Sequence, residues 1–214
     1  MKKQLGLILL LLFAISEANS QVIIRTRPYG YRRPPLTQRK KNVPKFDPVL
    51  SLSIGYGVPN LDRFQLLDFY STYRGSISQT GPVFASIDYQ FMRTMSIGVM
   101  VSYGKVSAPY YNYSNSSFAF TGNLKNTSIM FDFIRYFPVT GKILPYIKTA
   151  IGVSIWKQDY LDQSGNKAVL ADDPTLLAYQ TGIGVKLNVS KQSSLFLEAG
   201  YGKYILGGGL SFKL

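Results

Sequence analysis

Eight times between residues 48 and 214, apolar residues alternate with small or polar ones at a period of two over about ten positions. Such alternation makes each stretch a strand with one apolar face, so the chain reads as all-β. The stretches run Leu50 to Val58, Val83 to Phe91, Met95 to Tyr103, Thr127 to Phe133, Ile147 to Ile155, Leu177 to Val189, Leu195 to Tyr201 and Tyr204 to Leu214. In the first, Leu50, Leu52, Ile54, Tyr56 and Val58 oppose Ser51, Ser53, Gly55 and Gly57. In the last, Tyr204, Leu206, Leu210, Phe212 and Leu214 form the apolar side.

Two architectures fit such strands. A soluble sandwich or lipocalin-like barrel points its apolar face inward and needs a well-solvated outer face. Here the opposite face is mostly Gly and Ser with single charges, too bland for that task. A membrane barrel inverts the arrangement, with branched and aromatic residues toward lipid and small or polar ones toward the lumen. The lumen then holds Asp88, Asp132 and Glu198 against Lys148, Lys186 and Lys213. Buried charges persist when paired, and three acids against three bases is the balance a narrow barrel requires. The expected fold is an eight-stranded antiparallel up-and-down transmembrane β-barrel over residues 48–214.

Connection lengths agree. Arg93-Thr94, Thr140-Gly141-Lys142 and Ser190 to Ser193 are short, whereas Pro59 to Pro82, Gly104 to Asn126 and Lys157 to Leu176 are long. Long and short connections alternate in outer-membrane barrels, the short ones being periplasmic. Only the last outer connection, Gly202-Lys203, departs from this.

Ahead of the strands, Met1 to Ser20 has Lys2 and Lys3, the apolar run Leu5 to Ile15, and small residues Ala18 and Ser20. This is the pattern of a secretory signal peptide; a spanning helix would need about 20 apolar residues. Residues 21–47 carry eight basic residues against Asp47, among them Arg32, Arg33, Arg39, Lys40 and Lys41, together with several prolines. A disordered basic arm is expected, lying in the periplasm with both barrel ends on the short-turn side. An exported arm meets anionic lipid or an acidic partner, not nucleic acid.

The chain has no His and no Cys. That excludes disulfides, thiolate metal sites and any mechanism with a histidine base. Asp172-Asp173 supply an acid/base pair or Ca²⁺ ligands in principle, but they read better as a solvated loop tip before Pro174. No catalytic residue, metal or cofactor is expected. Eight strands enclose room only for side chains, here Lys148, Gln180, Lys186, Phe84, Met100 and Phe196. The loops carry more information. Asn60 suits the cap of a short helix with Asp62 in its first turn, followed by Phe64, Leu66, Leu67, Phe69 and Tyr70. Ala108 to Phe120 sets Tyr110, Tyr111 and Tyr113 among Ser and Asn, a composition shared with adaptable binding surfaces. Phe64, Leu67, Phe69, Tyr110, Tyr111 and Tyr113 are therefore candidate contact residues.

Three motifs carry a resemblance: PYIKTAIGV (Pro145 to Val153), RYFP (Arg135 to Pro138) and GGGLSFKL (Gly207 to Leu214). They resemble strand and C-terminal assembly signals of the small eight-stranded outer-membrane β-barrels, the OmpA-type barrels, in their Bacteroidota-like branch. The chain departs from that pattern by closing on Leu214, with Phe212 two positions earlier. The resemblance implies the outer membrane of a Gram-negative bacterium, surrounded by lipid and lipopolysaccharide. It does not assign a role. The expected function is non-enzymatic. The barrel acts through contacts, as a structural component or as a subunit of an envelope assembly such as secretion or biogenesis machinery. The competing expectation is a narrow channel or transporter for small solutes.

Overall fold

The computed structural model describes residues 46–137, 142–169 and 174–214. The signal-peptide segment, all five named arginines and lysines of the arm, and Asp172-Asp173 lie outside the described residues. Eight long strands form the wall: β1 (Val49–Val58), β3 (Ser78–Met92), β4 (Met95–Asn112), β5 (Phe118–Tyr136), β6 (Ile143–Leu161), β8 (Leu177–Asn188), β9 (Ser193–Tyr201) and β10 (Leu206–Lys213). Two short strands, β2 (Thr72–Arg74) and β7 (Lys167–Val169), add to the outer ends of β4 and β6.

Each wall strand pairs antiparallel with its successor in the wall. The ring closes where β1 meets β10, from Ser51 opposite Lys213 to Val58 opposite Leu206. Closure satisfies the backbone donors and acceptors of every wall strand without an edge, the condition for sheet structure inside a bilayer. The side chains alternate as the bilayer demands. Ile54, Ile87, Phe131, Ile151, Ile183 and Leu197 are exposed on the outside while Ser53, Ser86, Asp132, Ala150 and Glu198 are buried within. An apolar exterior that wraps the whole ring belongs in lipid.

Two expectations need correction. The segment expected as a long loop, Gly104 to Asn126, is mostly strand: β4 and β5 run on beyond the lipid belt and stay paired out to Tyr111 opposite Phe118. Along this extension the alternation reverses, with Val106, Ala108, Tyr110, Phe120 and Leu124 inside and Lys105, Ser107, Asn123 and Lys125 outside. Once a strand leaves lipid its outer face meets water, so apolar-outward ceases to be the rule although pairing continues. Secondly, Tyr204 is fully buried inside the barrel rather than lipid-facing. The β9–β10 turn breaks the parity: Gly202 has φ +140°, and a Cβ there would lie 2.0 Å from the Tyr179 carbonyl oxygen. Only glycine adopts that turn without strain.

Candidate functional site

Within the lipid-embedded part, the lumen is a packed polar network. Lys148 Nζ lies 3.7 Å from Glu198 Oε1 and 3.8 Å from Asp132 Oδ2, with all three side chains buried. Tyr146 Oη donates to Glu198 Oε1 at 2.8 Å and Tyr204 Oη to Glu198 Oε2 at 2.6 Å. Tyr204 also stacks on Phe84, ring centroids 5.0 Å apart. Asp88 accepts from Ser86 Oγ at 2.9 Å. Lys186 donates to Ser211 Oγ at 3.1 Å and sits over the Tyr136 ring.

The inward glycines are filled rather than open. A Cβ at Gly57 or Gly207 would strike the Tyr204 ring, one at Gly184 the Tyr146 ring, and one at Gly55 the Phe84 ring. Phe84, Met100, Gln180 and Phe196 are buried as expected. The cavity left beside Asp88, Lys148 and Glu198 measures about 10 Å³, room for one water at most. Side chains thus fill this part of the lumen, as expected of eight strands.

Five of the six charges expected here are brought together. Lys213 is not: it is exposed at the last position of β10, opposite Ser51 at the short-turn rim. Asp88 and Asp132 meet in another way. They flank Gly98 on neighbouring strands, and a Cβ at Gly98 would lie 2.5 Å from an oxygen of each. Gly98→Ala should therefore cost about 1–3 kcal/mol by overpacking, measured as a lower urea midpoint in detergent. An unchanged midpoint would mean that the two carboxylates do not converge on residue 98.

At the long-loop mouth the structure shows a second ion pair that strand alternation did not point to. Asn60 Oδ1 accepts from the Asp62 N–H at 3.0 Å, capping the 3₁₀ helix Leu61–Gln65. The helix lays Asp62 across the mouth. Lys203 turns inward from the β9–β10 turn and donates to Asp62 Oδ1 and Ser154 Oγ, both at 3.1 Å. Its ammonium lies 5.1 Å from the centroid of the Trp156 ring. The only local signals were a capping Asn before an Asp and a charge in an unusually short outer turn. Neither says that they meet.

Above this lid, Leu66, Val106, Ala108, Tyr110, Phe120, Leu124 and Tyr160 form an apolar plug, with Phe69 edge-on to Tyr110, Phe120 and Tyr160. Tyr110 Oη donates to the Leu67 carbonyl at 2.7 Å, and the Leu67 N–H donates to Tyr160 Oη at 3.1 Å. Burial raises the Tyr110 hydroxyl well above the ordinary phenol range, so it stays a donor. The expected contact set therefore divides. Tyr110 is buried and Phe69 is half-buried, and both serve the plug. Phe64 and Leu67 are exposed. Tyr111 and Tyr113 face outward and join residues not singled out from sequence: Tyr73 stacks on Tyr111 at 5.6 Å and lies 5.4 Å from Tyr113, while Tyr111 meets Phe118 edge-on. Tyr113 is 66% exposed.

Among the described residues no three acidic side chains stand close enough to hold a metal ion. No protein-family model and no curated protein matches the chain. Three solved structures share its general outline. One, from work on de novo design of transmembrane β-barrels, has TM-score 0.39 at 14% identity, covering 78% of this chain and 95% of that one. Ail, the attachment invasion locus protein of Yersinia pestis, solved with the heparin analogue sucrose octasulfate, has TM-score 0.40 at 12% identity, covering 78% and 97%. The N-terminal β-barrel domain of Pseudomonas aeruginosa OprF has TM-score 0.33 at 18% identity, again covering 78% and 97%.

Proposed function

We propose that this chain is a non-enzymatic outer-membrane barrel that works through contacts made by its outer extension, as a subunit of an envelope assembly. The observation that carries this reading is the aromatic strip of Tyr73, Tyr111, Tyr113 and Phe118. Tyr73, Tyr111 and Phe118 stand clear of the lipid belt on paired strands β2, β4 and β5, with Tyr113 in the turn after β4, and the plug beneath makes the platform rigid. Aromatic side chains on a rigid base lose little entropy on binding and supply large contact area. The packed lumen argues against a solute channel.

Assignment to the Bacteroidota-like branch of the OmpA-type barrels rests on the three sequence motifs, and the periplasmic position of residues 21–47 rests on the connection pattern. On this reading the basic arm adds a salt-sensitive contact on the opposite side of the membrane.

The test is purification from native membranes under mild detergent. Replacing Tyr73, Tyr111 and Tyr113 together by Ser should reduce stoichiometric co-purifying protein by about 30-fold or more, as loss of a hot spot worth about 2 kcal/mol would. Barrel stability should hold, because exposed substitutions shift it by about 0.5 kcal/mol or less. An unchanged partner set would refute the strip. A lone barrel that conducts in planar bilayers would instead favour the channel.

A further inference from the structure

The outer face of the extension carries three lysines in one row. Lys105 on β4 is directly opposite Lys125 on β5, and Lys125 is directly opposite Lys157 on β6. All three are exposed and alternate with inward-facing neighbours, so they share the outer face. Directly opposed residues have Cβ atoms about 4.5–5.5 Å apart, so the three lysines spring from a row about 10 Å long. Among the described residues none of the three has an ion-pair partner. Asp159, two positions along β6 from Lys157, is 3.8 Å from Lys167. Thr80 faces Lys105 from β3 and extends the row with a hydroxyl.

Like charges directly opposed across a sheet destabilise it. The row therefore does nothing for the fold, and its position suggests what offsets the repulsion. The preceding row toward the membrane is Tyr103, Thr127 and Ile155, whose Tyr103 and Ile155 are the last lipid-facing apolar residues on their strands. Two residues of a strand tilted by about 40° rise by about 5 Å along the membrane normal. The polar layer outside the hydrocarbon core is about 5–8 Å deep on each side. The lysines thus stand at the depth of lipid phosphates, on a face that looks toward surrounding lipid rather than toward the aromatic strip at the tip.

We propose that Lys105, Lys125 and Lys157 form a binding site for a membrane lipid whose headgroup carries clustered phosphates. Three cations in register complement two or more phosphates held close together, as a single-phosphate lipid does not. The proposal rests on the outer-membrane reading above and goes further, naming the lipid chemistry and the residues that take it.

The experiment uses the full chain in zwitterionic detergent, with labelled diphosphoryl lipid A as the probe. Lys105→Gln, Lys125→Gln and Lys157→Gln together should weaken retention about a hundredfold, from roughly fivefold per lysine near an anionic surface. The corresponding triple Arg variant should retain the lipid. Lys142→Gln, Lys191→Gln and Lys213→Gln remove the same charge from the opposite rim and should change retention less than about threefold. Without lipid, the Gln triple should unfold no earlier than the parent, since it relieves repulsion, and unboiled migration in SDS confirms that each variant is folded. Equal weakening by both Gln triples would overturn the site. Equal affinity for inositol hexakisphosphate, which has clustered phosphates but no acyl chains, would overturn the lipid assignment. Retention of the lipid by a chain recovered outside the outer-membrane fraction would refute the location and leave the site standing.

Discussion

Replacing Glu198 by Ala should lower the free energy of unfolding by about 3–5 kcal/mol, the usual result of breaking a buried ion pair from one side. Tyr146 at 2.8 Å and Tyr204 at 2.6 Å lose their acceptor, and Lys148 loses the nearer of its two carboxylates at 3.7 Å, keeping only Asp132 at 3.8 Å. A water entering the vacated space could accept from the tyrosines but would not supply the charge facing Lys148. Glu198→Gln separates the contributions. It keeps an acceptor for one tyrosine but removes the charge facing Lys148, so it should fall between Ala and the parent. Lys213→Ala, at the exposed rim, should shift stability by about 0.5 kcal/mol or less. The measurement is urea unfolding from detergent micelles. Equal midpoints for the Glu198 and Lys213 variants would mean that the lumen is wet and the network idle.

Tyr110→Ala should have a comparable cost, about 3–5 kcal/mol for truncating a large buried aromatic, but in a different place. Tyr110 contacts Phe69, Phe120 and Tyr160 and holds the Leu67 carbonyl. All of these lie beyond the lipid belt, in a unit built from the first long loop and the outer ends of β4, β5 and β6. The membrane-embedded ring should survive, seen as unchanged migration of the unboiled protein in SDS. The segment Asn60 to Tyr70 should become a protease target, because its apolar side chains lose their seat. Loss of SDS resistance would show that plug and ring unfold as one unit. Protection of the segment would show that the plug tolerates the hole.

Strand parity was legible in the lipid-embedded wall because the bilayer imposes one rule on every position there. An outward residue meets hydrocarbon and an inward one meets a crowded lumen. Two successive residues such as Phe131 and Asp132 therefore have no freedom to exchange roles. The same rule explains where the reading stopped. Past Tyr103 and before Thr127 the outer face leaves the hydrocarbon for headgroups and then water, so Lys105 and Lys125 looked like loop residues although both are paired in the sheet. Tyr110 looked like a contact residue for the same reason: Tyr among Ser and Asn suits a surface as well as it suits a plug.

Alternation along single strands determined the ring, the lipid-facing exterior and the inward side for Asp88, Asp132, Glu198, Lys148 and Lys186, because period and polarity are local properties of a chain in a bilayer. Tertiary structure alone decided which charges meet. Asp62 and Lys203 are 141 positions apart, and no local pattern relates them. Tyr204 is inside because it lies in the β9–β10 turn, ahead of Leu206, where strand alternation no longer applies. Lys105, Lys125 and Lys157 form a row only because the register of β4, β5 and β6 aligns them. Register and turn geometry follow from how the whole ring closes, and closure minimises the energy of all eight strands together rather than of any one of them.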